Sequence, residues 1–388
     1  MIDNITNITE GISGELIEMS EKILNRPELG NEEFFACSLH IEILKKHGFN
    51  VDEKYLGIET GFRASYDSEK EGPTIAYLAE YDALPGIGHG CGHNLLGAVS
   101  TGAGIVLKKV MDDIGGKVVV FGTPAEETCG AKVVFADKGA FNDIDIVMIA
   151  HPSNAYSKSG KSLAMEALQF EFRGKSAHAA SSPEKGINAL DAVINTFNNI
   201  NALRQQIRSD ARIHGIIPEG GKAANIIPDH CVAKFYVRAK SKTYLNELVE
   251  KVKKCALGAS MAAGTTVEIS NYEYSYDNLV TNEILSDIFT DNLKKAGVDV
   301  ILDSEESLGS VDAGNVSHKC PTIHAYFDIT NDRGIIGHTV EFRDSTKTEY
   351  AYDNMKKTIE ALVLTAVKVI EDEELLGKIK EEFEGAEK

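Results

Sequence analysis

Sixteen residues of this chain, Ala79 to Asn94, hold Glu80, Asp82, His89, Cys91 and His93. Cys91 and His93 stand either side of a glycine, so their side chains can converge on one ion, and a thiolate with an imidazole suits a transition metal. Cys91 as a nucleophile with His93 as its base is a second reading, but residues two apart on a glycine loop make a poor pair of that kind. The plain structural reading is a glycine-rich loop with incidental polar groups. A second cluster is Gly122-Thr123-Pro124-Ala125-Glu126-Glu127. Here Thr123 could cap a helix, with Pro124 as its first residue and Glu126 as the returning carboxylate of a capping box. Alternatively, the adjacent carboxylates divide labour, one holding metal while its neighbour takes a proton from water. His151 directly follows the expected buried strand Ile144–Ala150, and His338 lies in Ile336-Gly337-His338-Thr339.

The elements that must position these groups follow from periodicity. Apolar residues at three- and four-residue spacing predict helices from about Ile12 to His47, ended by Gly48. Strands are expected at Gly61–Tyr66, Thr74–Ala79, Lys117–Gly122 and Ile144–Ala150, with helices at Asn94–Val110 and from Pro124. The alternation indicates an α/β domain, whose ligands gather where strands give way to helices. From Ala167 to Tyr274 the order becomes β-α-β-β-α-β, a ferredoxin-like arrangement of about 110 residues, long enough for an independent domain. The α/β pattern then resumes and ends in a helix over Thr348–Ile370. The expected organisation is a first catalytic part at 1–165, an inserted domain at 166–279 and a second catalytic part at 280–388.

Composition narrows the class. A net charge of −19 repels phosphate backbones and anionic membrane surfaces, which argues against nucleic-acid and membrane partners. The N-terminus reads as lacking a secretory leader, and no apolar run approaches bilayer length. The six cysteines (37, 91, 129, 231, 255 and 320) have no framework spacing and read as reduced thiols of a cytoplasmic protein.

Five strings occur in order: Ala-Glu-Tyr-Asp-Ala-Leu-Pro, Gly-Cys-Gly-His-Asn, Thr-Pro-Ala-Glu-Glu, Gly-Lys-Ser-Ala-His-Ala-Ala and Gly-His-Thr. Together they resemble the metallo-amidohydrolases that include hippurate hydrolase, the auxin-conjugate hydrolases and aminobenzoyl-glutamate hydrolase, within the aminoacylase and glutamate-carboxypeptidase superfamily. The likeness spans nearly the whole chain and looks closest to the aminobenzoyl-glutamate and β-alanyl-dipeptide branch. It implies a zinc-exopeptidase-like catalytic domain with a central mixed sheet flanked by helices, plus an inserted lid and dimerisation domain. It also implies two divalent ions, zinc or manganese, on Cys91, His93, Glu127, His151 and His338. Cys91 would stand where the wider superfamily has a bridging aspartate. The general base falls on Glu126. The superfamily's early His-x-Asp motif reads Glu80-Tyr81-Asp82 here, so that histidine is missing; His93 would substitute, with Asp82 behind it. In the inserted domain His178 would stabilise the oxyanion, and Asn225 and Arg238 would recognise substrate. Gly314 would offer its backbone. The implied reaction is cleavage of a small N-acyl amino acid or dipeptide by a homodimer joined through the lid; a catalytically inactive metal-binding scaffold is the competing class.

Overall fold

The computed structural model describes residues 1–304 and 309–387. In chain order the principal elements are α1 (Ile2–Asn25), α2 (Phe34–Lys46), β1 (Asn50–Glu53), β2 (Phe62–Asp67), β3 (Thr74–Ala79), α3 (His93–Ile114), β4 (Lys117–Gly122), α4 (Ala131–Asp137) and β5 (Ile146–Ser153). Next come β6 (Ala164–Arg173), α5 (Ala189–Leu203), β7 (Arg212–Glu219), β8 (His230–Ala239), α6 (Lys242–Ala263) and β9 (Thr266–Asn271). The chain continues through α7 (Glu283–Lys295), α8 (Ala313–Ser317), β10 (Thr322–Asp328), α9 (Val340–Ser345), α10 (Glu349–Glu371) and α11 (Glu373–Gly385). They fall into two compact units, one of Met1–Lys161 with most of the chain from Leu279 onward, the other of Ser162–Asn278 with Gly309 and Ser310.

Among its described residues the larger unit holds a mixed sheet in the order β1-β2-β4-β3-β5-β10. β3, β4, β5 and β10 run parallel, while β1 and β2 form the antiparallel edge. Every residue of β3 is buried, and β4 and β5 are nearly so, because a parallel sheet covered on both faces needs apolar side chains at successive positions. One core, with α1, α3 and α10, gathers Leu16, Val99 and Ile359. A second contains Leu78, Phe121, Phe135 and Val316. α3 comes close to its neighbours through glycine: a Cβ on Gly102 would lie 2.6 Å from Leu16 and 2.7 Å from Ile359.

The smaller unit is β6-α5-β7-β8-α6-β9, with spatial order β7-β8-β6-β9 and every pairing antiparallel. β8 alternates buried and half-buried residues, as a sheet covered on one face requires. Leu168, Phe170, Phe235, Val193 and Leu248 form its core under α5 and α6. Each helix is capped by a side chain at its start, Asn188 accepting from the Leu190 N–H and Ser241 from the Tyr244 N–H. The α/β and ferredoxin-like architecture expected from the sequence is the one observed.

Three local expectations are corrected. The N-terminal helix begins at Ile2, since Ile5 and Thr9 extend its buried stripe one turn at a time. The last strand of the smaller unit stops at Asn271, short of Tyr274. Above all, no helix starts at Pro124: the chain stays a loop to Gly130, because Ala125 takes a left-handed conformation (φ 63°) that an α-helix cannot include. Thr123 turns its hydroxyl back to the Ala79 carbonyl, at 3.2 Å, and makes no capping box. Among the described residues no helix is long and apolar enough to cross a membrane.

Candidate active site

Strand register gathers the chemistry. Ala79 pairs with Gly122 across β3 and β4, and His151 with Tyr326 across β5 and β10. The carboxyl ends of these strands therefore lie side by side; Glu80–Asp82 and Thr123–Glu127 follow β3 and β4 there, and His151 lies near the end of β5. The remaining residues are brought there by backbone bonds. The left-handed Gly92 (φ 74°) turns the loop into α3, which opens on His93. His338, itself left-handed (φ 65°), donates its N–H to the Gly90 carbonyl at 2.9 Å and so lies against the Cys91 loop.

Three groups of donor atoms result, each with all its atoms within 4.8 Å of one another: Cys91, Glu127 and His338; His93, Glu126 and Glu127; and Glu80, His93 and His151. Glu127 links two of them, its Oε1 lying 4.0 Å from His93 Nε2 and 3.9 Å from His338 Nε2. Each imidazole is oriented through Nδ1. His93 Nδ1 bonds Asp82 Oδ1 at 2.9 Å and His151 Nδ1 bonds the Pro152 carbonyl at 2.7 Å, which turns each Nε2 toward the donor groups. Asp82 is fully buried and also accepts the Glu127 N–H at 2.9 Å on its other oxygen, so one carboxylate orients two of the residues.

The electrostatics ask for a cation. Burial pushes the Cys91 thiol far up, and the Glu127 carboxylate raises it further, so a thiolate here needs positive charge beside it. Cys91 Sγ is grouped with Glu127 and His338, a donor set of thiol, carboxylate and imidazole that suits a metal ion. Burial would lower His93, but Asp82, Glu80 and Glu127 outweigh it and lift it to about 10. Burial and then the neighbouring His93 depress His151 to about 3, keeping its imidazole neutral. Glu126 is raised well above the usual carboxylate range by burial and by the charges of Glu80, Asp312 and Glu127. The buried Nε2 of His93 and Oε2 of Glu80 have no hydrogen-bond partner. Unpartnered buried ligand atoms, imidazole nitrogens, a thiol and carboxylates fit a divalent transition-metal ion, whose charge would displace a proton from His93.

Several participants were not singled out from the sequence. Lys132 is fully buried in α4, its ammonium 2.7 Å from both Glu80 Oε1 and Asp312 Oδ1. A lone lysine in the apolar run Ala131-Lys132-Val133-Val134-Phe135 was the available signal. Glu33, from the loop before α2, accepts the Ala125 N–H at 2.8 Å. His324, on β10, stacks against His151 with ring centroids 5.7 Å apart. Gly314 has both backbone groups engaged within its own turn, its N–H on the Val311 carbonyl and its carbonyl on the Ser317 hydroxyl.

His178, Asn225 and Arg238 belong to the smaller unit. His178 is exposed, and its Nδ1 accepts the N–H groups of Ala180 and Ser181 at 3.2 and 3.3 Å. Asn225 adjoins it, its carbonyl accepting the Ala179 N–H at 3.0 Å. Arg238 donates to the Ser310 hydroxyl at 2.8 Å and lies over the Tyr236 ring.

The family model for the Peptidase dimerisation domain matches residues 164–258. The Xaa-Arg dipeptidase of Mus musculus is 36% identical over 382 residues, covering 94% of this chain and 88% of that protein. A p-aminobenzoyl-glutamate hydrolase chain of Escherichia coli K12 is 34% identical over 272 residues, covering 65% of this chain and 56% of that protein. Among solved structures, a dinuclear metal binding peptidase of the M20 family from Bacillus subtilis superposes with a TM-score of 0.70 at 19% identity, covering 93% of this chain and all of that one. Fold and relatives together define an enzyme that hydrolyses amide bonds, in the metallopeptidase class. The chain belongs to the M20 peptidase family.

Proposed function

We propose that this protein cleaves the amide bond of small dipeptides or N-acyl amino acids, with two divalent cations held by Cys91, His93, Glu127, His151 and His338. The observation that carries the reading is the meeting of these five side chains and Glu126 in overlapping donor groups at one sheet edge. Bound there, the cations would polarise the scissile carbonyl and make water a better nucleophile at neutral pH. Glu126 takes the proton from the attacking water and passes it to the departing amine. Its raised proton affinity suits a group that must both gain and release a proton. Asp82 orients His93 through Nδ1 and steadies the Glu127 backbone. From the inserted unit, 166–279 in our division, His178 is assigned the developing oxyanion. With its Nδ1 accepting two N–H groups, its proton resides on Nε2 and can be donated. Arg238 is assigned the substrate carboxylate, and Asn225 a supporting contact.

Relatives acting on Xaa-Arg dipeptides and on aminobenzoyl-glutamate set the first substrates to try. The working form is proposed to be a cytoplasmic homodimer joined through the smaller unit, where the edge strand β7 leaves Ile216 and Ile217 exposed. Cysteine as a metal donor also suits a reducing compartment.

The test is amide hydrolysis by chelator-stripped protein reconstituted with manganese or zinc. The panel would be Xaa-Arg and β-alanyl dipeptides with N-acetyl, N-benzoyl and aminobenzoyl amino acids. Release of free amino acid only after reconstitution supports the reading; full activity in the stripped protein sinks it. Native mass measurement tests the dimer.

A further inference from the structure

Glu80 lies at the end of β3, fully buried, and its two oxygens have different surroundings. Oε1 accepts from the Lys132 ammonium at 2.7 Å, and the same ammonium bonds Asp312 Oδ1 at 2.7 Å. Asp312 also accepts the Lys132 backbone N–H, at 3.3 Å, so lysine and aspartate are fastened at two points. Oε2 has no hydrogen-bond partner. It faces His93 Nε2, 3.2 Å away, which is likewise buried and without a hydrogen-bond partner. His151 contributes the third atom of this group, its Nδ1 committed to the Pro152 carbonyl.

Glu80 Oε2, His93 Nε2 and a His151 nitrogen lie within 4.8 Å of one another, a three-donor set that a cation would satisfy. Two donors each about 2.0–2.1 Å from one tetrahedral ion lie roughly 3.3 Å apart, and oxygen and nitrogen are separated here by nearly that distance. We infer that Glu80 is itself a metal ligand, giving the ion on His93 and His151 a carboxylate oxygen through Oε2. The inference rests on the two-metal reading above and adds a donor to it. Lys132 acts as a positioning residue: by engaging Oε1 it leaves Oε2 alone for the ion, so Glu80 binds through one oxygen. Asp312 balances the lysine, so that its ammonium does not cancel the charge Glu80 brings to the cation.

The experiment is zinc binding to the full chain, stripped by chelator and titrated against a competing zinc-sensitive dye, with stoichiometry from elemental analysis. Two zinc ions per wild-type chain is the premise; fewer than two would defeat the two-metal reading itself. Given two, Glu80→Gln is expected to weaken one ion by about tenfold or more and leave the other unchanged. Unchanged affinity for both ions, or equal weakening of both, overturns the inference. Because Glu80→Gln leaves Lys132 with one carboxylate fewer, the double variant Glu80→Gln/Lys132→Met is measured alongside it. That variant removes the buried ion pair as a unit, and circular dichroism reports its fold. Selective weakening of one ion in the folded double variant supports the assignment, and retention of both at wild-type affinity refutes it.

Discussion

Glu33 Oε1 accepts the backbone N–H of Ala125 at 2.8 Å, joining the loop before α2 to the loop that carries Glu126 and Glu127. The other oxygen of Glu33 accepts the Thr60 hydroxyl at 3.0 Å, and the residue is fully buried. Ala125 is left-handed, a conformation costing an L-residue about 1–2 kcal/mol. The Glu33 carboxylate is one of the bonds that holds it there.

Glu33→Ala should therefore lower kcat well below wild type with little change in KM, because Glu126 loses its aim while substrate contacts stay. Ala125→Gly should restore part of this in the double variant by removing the steric cost of the turn. Steady-state kinetics on the four-member cycle check both; an unchanged kcat in Glu33→Ala would remove Glu33 from the positioning of Glu126.

The same residue gives a pH signature. Burial raises the Glu33 carboxyl to about 7, only partly opposed by the hydrogen bonds it accepts. The folded state then holds a proton that the unfolded state releases near 4.5, so this contribution to stability is full below that value and is lost as pH rises through 7. The change is on the order of 3 kcal/mol at most. Urea unfolding at pH 5 and pH 8 should show a smaller difference for Glu33→Gln than for wild type.

Glu126→Gln should retain both metal ions and lose at least about a hundredfold in kcat, the range of a general base. Elemental analysis beside turnover separates this from a ligand, whose loss would release metal. A variant that binds metal normally and turns over like wild type would remove Glu126 from its assigned role.

His40 predicts the acid limb. It is fully buried with Nδ1 2.8 Å from the Thr101 hydroxyl, and burial depresses it to about 3. The unfolded chain takes up the proton near 6.5 while the folded one resists, so stability is lost as pH falls from 6.5 toward 3. Unfolding midpoints for His40→Gln between pH 7 and 4.5 should fall less steeply than for wild type.

Two glycine substitutions should act in opposite directions. A Cβ on Gly97 would lie 2.7 Å from the His40 ring and 2.8 Å from the Glu80 carbonyl, a backbone atom that cannot step aside, so Gly97→Ala should cost about 1–3 kcal/mol. Gly258 is an exposed residue of α6 with nothing within 4 Å of its would-be Cβ, and Gly258→Ala should stabilise by roughly 0.5–1 kcal/mol. Thermal unfolding of both variants decides the sign.

The sequence by itself determined the elements and where their chemistry emerges. The apolar runs Val118–Phe121 and Ile146–Ala150 read as strands buried on both faces of a parallel sheet. Glu80 follows β3 directly, Glu126 and Glu127 lie in the loop after β4 and His151 lies near the carboxyl end of β5, where an α/β sheet gathers its ligands. The ordered motifs also carried the family. Only the tertiary structure decided how those residues are held and who their neighbours are. Thr123-Pro124-Ala125-Glu126 reads locally as a capped helix start, yet a carboxylate from Glu33 helps keep it a loop. Glu80 reads as a missing histidine until Lys132, itself paired with Asp312, is found against one of its oxygens and His93 against the other. Periodicity and capping are set by residues within a turn or two of each other. A buried ion pair or a distant hydrogen bond depends on which segments the fold brings together, and no local pattern encodes that.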